Sequence, residues 1–571
     1  MTREPSNQRP RRRRQWAAAC ALAATLAMTG CGAMPRSGPV HKVVEPTTEA
    51  QEQPARYTPA TPQTGASAQE IVEGFLTAGV GAQDDYAVAR QYLTPQLANT
   101  WKPDTRVLVY KGEPSTVPRL SDGQYRTSLE VGAERSANGV LEQQPEGTTR
   151  VLDFTLTSVD GQWRISEAPD GVIVPFDDFP EIFKAYTLYF FDDDYGRLVP
   201  DPRWFAERST VPTAMVRELL AGPAAHLDGA VTSALPGGAT LARSAVPVSD
   251  GTASVDLNLA QFDPADVERG KRMEQQLEAS LQGVPAVDTV ELSINGAPVE
   301  TSGSDRDEPV REVTVPNRQI GVSHNQLAFY QGGQTELIND VPLSGDAQIV
   351  RPGMDQAMEN FGWVGGAGGA VFTAAQGESP VQRWSGEDLT RPSFDIQGWV
   401  WGSGADGVVH AARTDADDDA ITVAADWLAD DRVAGLRISR EGNRALIVTT
   451  NEGQDRSNVW LSGIVRDESG RPTELKQGNL VAADVDVDTV QWISGTEFVT
   501  TALGENGNSQ PRQYSVSGSN EALPSLVGVT SLAGGNGSTA IYGAAEGNLY
   551  LLTGSSWSQQ SDNVTDTAFA G

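Results

Sequence analysis

The chain has 571 residues, 39% of them hydrophobic and 21% charged, with 43 Lys and Arg set against 75 Asp and Glu. That length suffices for three or four domains. The net charge of −32 argues against a nucleic-acid partner and against electrostatic docking on anionic lipid, since both require a basic surface.

Six arginines and one glutamate precede residue 31, so the remainder holds 37 basic and 74 acidic residues, a balance of −37. Diffuse acidity of this kind keeps an exported protein soluble. Both cysteines, Cys20 and Cys31, fall in the first 31 residues. The body therefore has no disulfide and no thiol chemistry, and four histidines in the whole chain leave little material for zinc sites or His-based catalysis.

In chain order, Arg11 to Arg14 form a positive block and Trp16 to Met28 an apolar run of 13 residues. A membrane-spanning helix needs about 20 apolar residues, whereas a signal-peptide core is shorter. The run Met28-Thr29-Gly30-Cys31 resembles the bacterial lipobox, with Met28 where leucine is usual. Small residues at 29 and 30 admit the chain to a signal-peptidase cleft, and the thiol of Cys31 can be alkylated by a diacylglycerol. The expectation is a signal peptide over 1–30 and cleavage between Gly30 and Cys31. Cys31 then carries an S-diacylglycerol and an N-acyl chain such as palmitate, and the protein sits on the extracytoplasmic face of the cell membrane. Each buried methylene contributes about 0.8 kcal/mol, so two or more acyl chains hold firmly. The arginine block hints at twin-arginine export without the rest of that motif, leaving the route open.

Residues 31–67 are rich in Pro, Thr, Gln, Glu and Ala with no periodic apolar face, which predicts a disordered tether behind the lipidated cysteine. A flexible coil of that length spans roughly 30–35 Å.

From residue 68, Ile71, Val72, Phe75 and Leu76 recur at helical spacing, with Gly79 placed to end the helix. A second helical stretch is predicted through Tyr86, Ala89, Tyr92 and Leu93. Strands follow at 106–110, 125–133, 151–159 and 163–165, with a hairpin at Asp160-Gly161. Residues 68–175 thus read as a small α+β domain, similar to the cone-shaped NTF2-like folds.

The next unit, 176–300, is also α+β. It has a strand at 187–191, a helix at 211–220 stopped by Gly222-Pro223, and a strand pair turning at Asp250-Gly251. A polar helix from Asp263 to Gln282 and a closing strand from Val287 to Ile294, followed by Asn295-Gly296, complete it. The ordered landmarks TLYFFDDD, TAMVRELLAGP, ALPGGATL, DGTASVDLN and VELSINGAPV resemble the GerMN domain. Residues 301–312 are a charged linker.

From Val313 to Gly571 the pattern is all-β. Six units beginning near Ile320, Phe361, Phe394, Val433, Val490 and Val529 average roughly 43 residues, the size of a four-stranded blade, and predict a C-terminal β-propeller.

Signal peptide, lipobox, NTF2-like unit, GerMN unit and propeller in this order, together with the segment Leu389 to Trp401 (LTRPSFDIQGWVW), resemble the actinobacterial lipoprotein LpqB family. The resemblance covers essentially the mature chain. It implies a membrane-anchored, non-enzymatic accessory that touches the extracellular domain of a two-component sensor histidine kinase and tunes signalling for envelope growth and division.

Gly402, Gly404 and Gly407 match G-x-G-x-x-G after a strand-like Trp399-Val400-Trp401, but Val408 to Ala411 continues as a strand where a dinucleotide site needs a helix. Hairpin turns explain these glycines better. Asp415, Asp417, Asp419 and Asp426 occupy positions 1, 3, 5 and 12 of a calcium loop, yet Ala420 replaces the bend glycine and the last ligand is Asp, not Glu. Asp192, Asp193 and Asp194 read as a solvated turn. No nucleophile-elbow, zincin, C-x-x-C or Walker motif occurs, and His41, His226, His324 and His410 stand apart from any Ser or Cys motif. No catalytic residue, metal or cofactor is expected. Trp399, Trp401, Trp427, Trp460 and Trp492 suit either a binding rim or blade packing. Two alternative functions remain: a binder of envelope ligands (a peptidoglycan fragment or glycolipid) and a propeller hydrolase. The latter would need two carboxylates converging in the channel.

Overall fold

The first helix, Ala68–Ala78, is opened by a capping box: Ser67 Oγ accepts the N–H of Glu70, and the Glu70 carboxylate accepts the N–H of Ser67. The computed structural model describes residues 59–571 except 120–122, 303, 305, 344–347, 366–368, 417, 430, 451–455, 486–489 and 504–508. The expected signal peptide, Gly30, Cys31 and most of the tether lie outside the described residues.

The helix buries Ile71, Val72, Phe75 and Leu76 on a sheet of β1 (Arg106–Pro118), β2 (Gln124–Ser136), β3 (Leu141–Gln143), β4 (Thr149–Val159), β5 (Gln162–Glu167) and β6 (Val172–Pro175). The order is β5-β4-β2-β1-β6, with β3 pairing β2. Phe75 meets Trp101 and Phe154 edge-on at 5.2 and 6.2 Å. The Asp160-Gly161 turn has φ of 52° and 76° and joins the paired Val159 and Gln162. Both central residues of such a two-residue turn need positive φ.

Two expectations need correction. The second helical stretch is broken into Ala87–Arg90 and Pro95–Thr100, because Tyr86 takes a left-handed backbone and Pro95 restarts the helix behind the Thr94 cap. Strand β1 runs to Pro118, well past 110, following β2 through two register shifts.

The second unit opens with the hairpin β7 (Phe183–Phe191) and β8 (Leu198–Ala206). Its other sheet holds β9 (Thr240–Leu241), β10 (Val248–Ser249), β11 (Thr252–Asn258), β12 (Thr289–Ile294) and β13 (Ala297–Pro298). Strands β11 and β12 are parallel, joined by the helix Val267–Leu281. That helix starts four residues later than predicted, since Asp263 caps a turn at Ala265 and Asp266 is the helix N-cap. Leu188, Phe190, Met215, Leu219, Val255, Met273 and Leu277 share its core.

The charged segment 301–312 is laid against this unit. Val310 exchanges backbone hydrogen bonds with Gly196 and Leu198 at 2.9 Å each, and Arg311 stacks on Tyr189.

The C-terminal region forms six blades, at 319–337, 349–385, 393–423, 432–485, 491–522 and 529–561. The fourth and fifth are joined through the bridge Val485–Ala502. The ring closes by strand exchange: Thr565–Ala568, from the chain's end, pairs with Gln319–Ser323 of the first blade. The second blade begins at Ile349 and not near Phe361. Pro352 and Gly353 lie in a bulged first strand that hides the periodicity, and Phe361 falls in the blade's second strand, Asn360–Gly365. Residues Thr58–Gly571 form one compact unit.

Candidate functional site

The three regions meet through buried polar seams. Trp204 Nε1 donates to the Ser517 carbonyl at 2.8 Å, and Arg135 Nε donates to the Trp204 carbonyl at 3.0 Å. Asn443 Nδ2 donates to the Ala230 carbonyl at 2.9 Å and Arg444 Nη1 to that of Pro200 at 3.3 Å. Arg203 pairs with Asp201 at 2.7 Å, each only 1% exposed, and Arg444 pairs with Glu441 at 2.7 Å. Pairs this deep fix geometry more than they add stability, because desolvation offsets much of the attraction.

The segment Leu389 to Trp401 wires the ring together. Asp395 accepts from Trp401 Nε1 at 2.8 Å and from Arg466 at 2.6 Å, both buried, and its other oxygen accepts the N–H groups of Gln397 and Trp399. Ser393 Oγ accepts the Ile438 N–H from the next blade. Arg391 reaches Asp566 on the closing strand.

The inner strands of the blades surround a solvent-connected cavity of about 210 Å³. Its polar lining includes Arg351, Arg391, Arg437, Gln491, Ser531 and Asp566. Asp566 is the single carboxylate among the described lining residues, and it is engaged by Arg391 and the Arg351 N–H. Arg437 is 5% exposed. Burial, together with the neighbouring charge of Arg391, pushes its guanidinium down to about 9. A smaller cavity beneath the first helix is lined mainly by apolar groups, among them Phe75, Trp101, Leu108 and Phe154.

The candidates singled out by sequence take structural places. Gly402 ends a strand and Val409 begins the next, so the G-x-G-x-x-G run is a hairpin loop. A side chain at Gly404 would meet the Glu387 carbonyl at 2.6 Å. Asp415 pairs with Arg413, Asp426 opens a single 3-10 turn, and Asp417 lies outside the described residues. Asp192 is buried rather than solvated, its carboxylate accepting the N–H groups of Gly196 and Arg197 and pairing with the Arg197 side chain at 3.1 Å. His410 stacks on Trp384, and His324 sits in a strand turn with φ of 51°. His226 is buried at the seam, with its carbonyl facing Gly463 of the propeller. Trp401 is fully buried, Trp399 nearly so, and Trp427 packs edge-on against Trp460. Trp492 Nε1 donates to the Arg437 carbonyl, so these tryptophans serve blade packing.

The arginine-lined channel was not anticipated from sequence. Its arginines are spaced 40 to 46 positions apart, one blade length, which is the signal that would have found it.

The family model for the N-terminal domain of lipoprotein LpqB matches residues 61–180, and that for the lipoprotein LpqB β-propeller domain matches 325–568. Between them, the model described as sporulation and spore germination matches 187–300. Lipoprotein LpqB of Bifidobacterium longum is 28% identical over 91% of this chain and 91% of its own. The Streptomyces coelicolor lipoprotein LpqB is 27% identical over 92% of each chain, and that of Mycolicibacterium smegmatis 27% over 78% of this chain and 79% of its own. No helix among the described residues is long and apolar enough to cross a membrane. Matched domain by domain in the same order and aligned over most of their length with these relatives, the chain belongs to the LpqB lipoprotein family.

Proposed function

We propose that the mature protein is fixed by lipid on Cys31 to the outer face of the cytoplasmic membrane. There it acts as a non-enzymatic accessory that binds the extracellular domain of a two-component sensor histidine kinase and modulates signalling for envelope growth and division. The observation carrying this reading is the near end-to-end likeness to a lipoprotein family in a chain whose residues 28–31 resemble a lipobox. Sharing a membrane raises the effective concentration of the partner, so a modest interface suffices.

Two measurements test it. Affinity purification from solubilised membranes should enrich a sensor kinase, and repeated failure to do so overturns the partner. Fractionation should move a Cys31→Ala variant out of the membrane pool with its folded body intact. Full retention of that variant in the membrane overturns the anchor.

A second reading, an envelope-ligand binder, is favoured by the solvent-connected, arginine-lined channel of about 210 Å³, a concave site with convergent polar groups. Native mass spectrometry of the purified protein should then show a co-purifying glycan or lipid.

A further inference from the structure

The ring brings together residues that are far apart in the chain. Arg351 comes from the second blade, Arg391 from the lead-in to the third, and Arg437 from the first strand of the fourth. Gln491 belongs to the fifth blade, Ser531 to the sixth, and Asp566 to the closing strand. Three arginines and one carboxylate therefore line the cavity among the described residues, in a chain whose net charge is −32. The Arg351 side chain is engaged by the Leu389 carbonyl, so the basic character of the cavity is carried by Arg391 and Arg437.

Asp566 is occupied by Arg391, and Arg391 also donates to the carbonyls of Pro352 and Asp566. Arg437 has no carboxylate beside it among the described residues. Its guanidinium makes one hydrogen bond there, from Nη1 to the Pro392 carbonyl at 3.3 Å. A guanidinium carries five N–H donors, so most of this fork is unspent although the residue is 5% exposed. Burying such a charge without a partner is costly, because desolvation is left uncompensated. The other buried arginines among the described residues are handled differently, and Arg135 donates to the carbonyls of Trp204 and Asp104. Arg203, Arg444 and Arg466 each lie against a carboxylate at 2.6–2.7 Å, and Arg440 donates to Trp492, Gly535 and Asn536. Arg437 is the one that opens onto a cavity with its donors unspent and a second arginine nearby.

We propose that the propeller channel is a binding site for a small anionic ligand, whose carboxylate or phosphate group is received by the Arg437 guanidinium with Arg391 beside it. Planar guanidinium forks match the paired oxygens of either group. Gln491 and Ser531 supply neutral donors on the facing inner strands, and the low-dielectric walls strengthen the attraction. The site is independent of kinase binding: the channel can take an anion whether or not the outer surface meets a partner.

The test is isothermal titration of the detergent-solubilised, full-length mature protein at constant ionic strength. Inorganic phosphate is one probe and acetate the other, with chloride as the control anion. Saturable binding of one equivalent of phosphate or acetate, absent with chloride, is the expected result, and the probe that binds identifies the group. Arg437→Gln should weaken that binding at least tenfold. Arg437→Lys, which keeps the charge but not the fork, should fall between. Ser531→Ala, at a half-buried position, should weaken it about threefold with an unchanged melting curve, which keeps the test valid should the arginine variants misfold. Absence of saturable binding by both probes overturns the site. So does binding that is equal in wild type and in the folded Arg437→Gln and Ser531→Ala variants.

Discussion

A single histidine shows how the seam between the second unit and the propeller responds to acid. His226 is buried, and desolvation, with Arg203 and Arg444 nearby, holds its imidazole down at about 4. The folded state keeps the ring neutral while the unfolded chain takes up a proton near 6.5. Stability contributed by the neutral ring is therefore present above pH 6.5 and is lost as pH falls from 6.5 towards 4, below which both states are protonated. The full loss is on the order of 3 kcal/mol. Glu218 and Glu312, whose carboxyls burial pushes up, act in the opposite direction, so the comparison with a variant is diagnostic and the raw slope is not. Thermal melts from pH 7.5 to 4.5 should show a smaller acid loss for His226→Gln than for wild type, and identical pH slopes would refute this role. In the sequence His226 stands apart from any Ser or Cys motif. Its burial was not legible, because it arises from a propeller glycine, Gly463, more than 200 positions away.

Elements fixed by local chemistry were readable, and those fixed by distant pairing were not. The Asp160-Gly161, Asp250-Gly251 and Asn295-Gly296 turns all lie where predicted, each with positive φ at both residues, because Asp, Asn and Gly tolerate that backbone. The blade starting at Ile349 was misplaced because Pro352-Gly353 breaks the alternation of its first strand. Ring closure by Thr565–Ala568 left no local trace at all. That closure is the element on which the propeller depends. Phe569 directly follows it, 3% exposed, and shares a core with Ile320, Met354 and Phe361 from the first two blades. Phe569→Ala should cost about 3–5 kcal/mol, as deletion of a buried aromatic usually does. Urea unfolding followed by tryptophan fluorescence would measure it. A cost under about 1 kcal/mol would show that the chain's end is dispensable to the ring.

At the scale of the whole molecule, the sequence suggests three domains strung on a tether and a charged linker, whereas residues 58–571 behave as one compact unit. The difference has a definable origin. The seams use backbone carbonyls of Pro200, Ala230, Ser517 and Gly518 as acceptors, and a carbonyl has no sequence signature. One close approach is at Gly463, where an added Cβ would sit 2.6 Å from the His226 carbonyl oxygen and 2.7 Å from the Ala230 Cβ. Both obstacles belong to the partner's main chain or lie next to it, so neither can swing aside. Valine itself is compatible with the strand Ser457–Arg466 in which Gly463 lies, since β-branched residues favour strands. Gly463→Val should therefore leave the blades intact and wedge the seam apart. Calorimetry should then resolve two unfolding transitions where wild type shows one, and limited proteolysis should cut residues 301–312 faster, because that segment is held from both sides: Val310 bonds to the second unit and Glu312 accepts the Gly495 N–H of the propeller at 2.8 Å. If the variant keeps a single transition and resists cleavage as wild type does, the domains are coupled elsewhere. If it does uncouple them, the Gly463→Val protein tests whether the proposed kinase partner needs the assembled body or a single domain, since only the relative placement of the domains has changed.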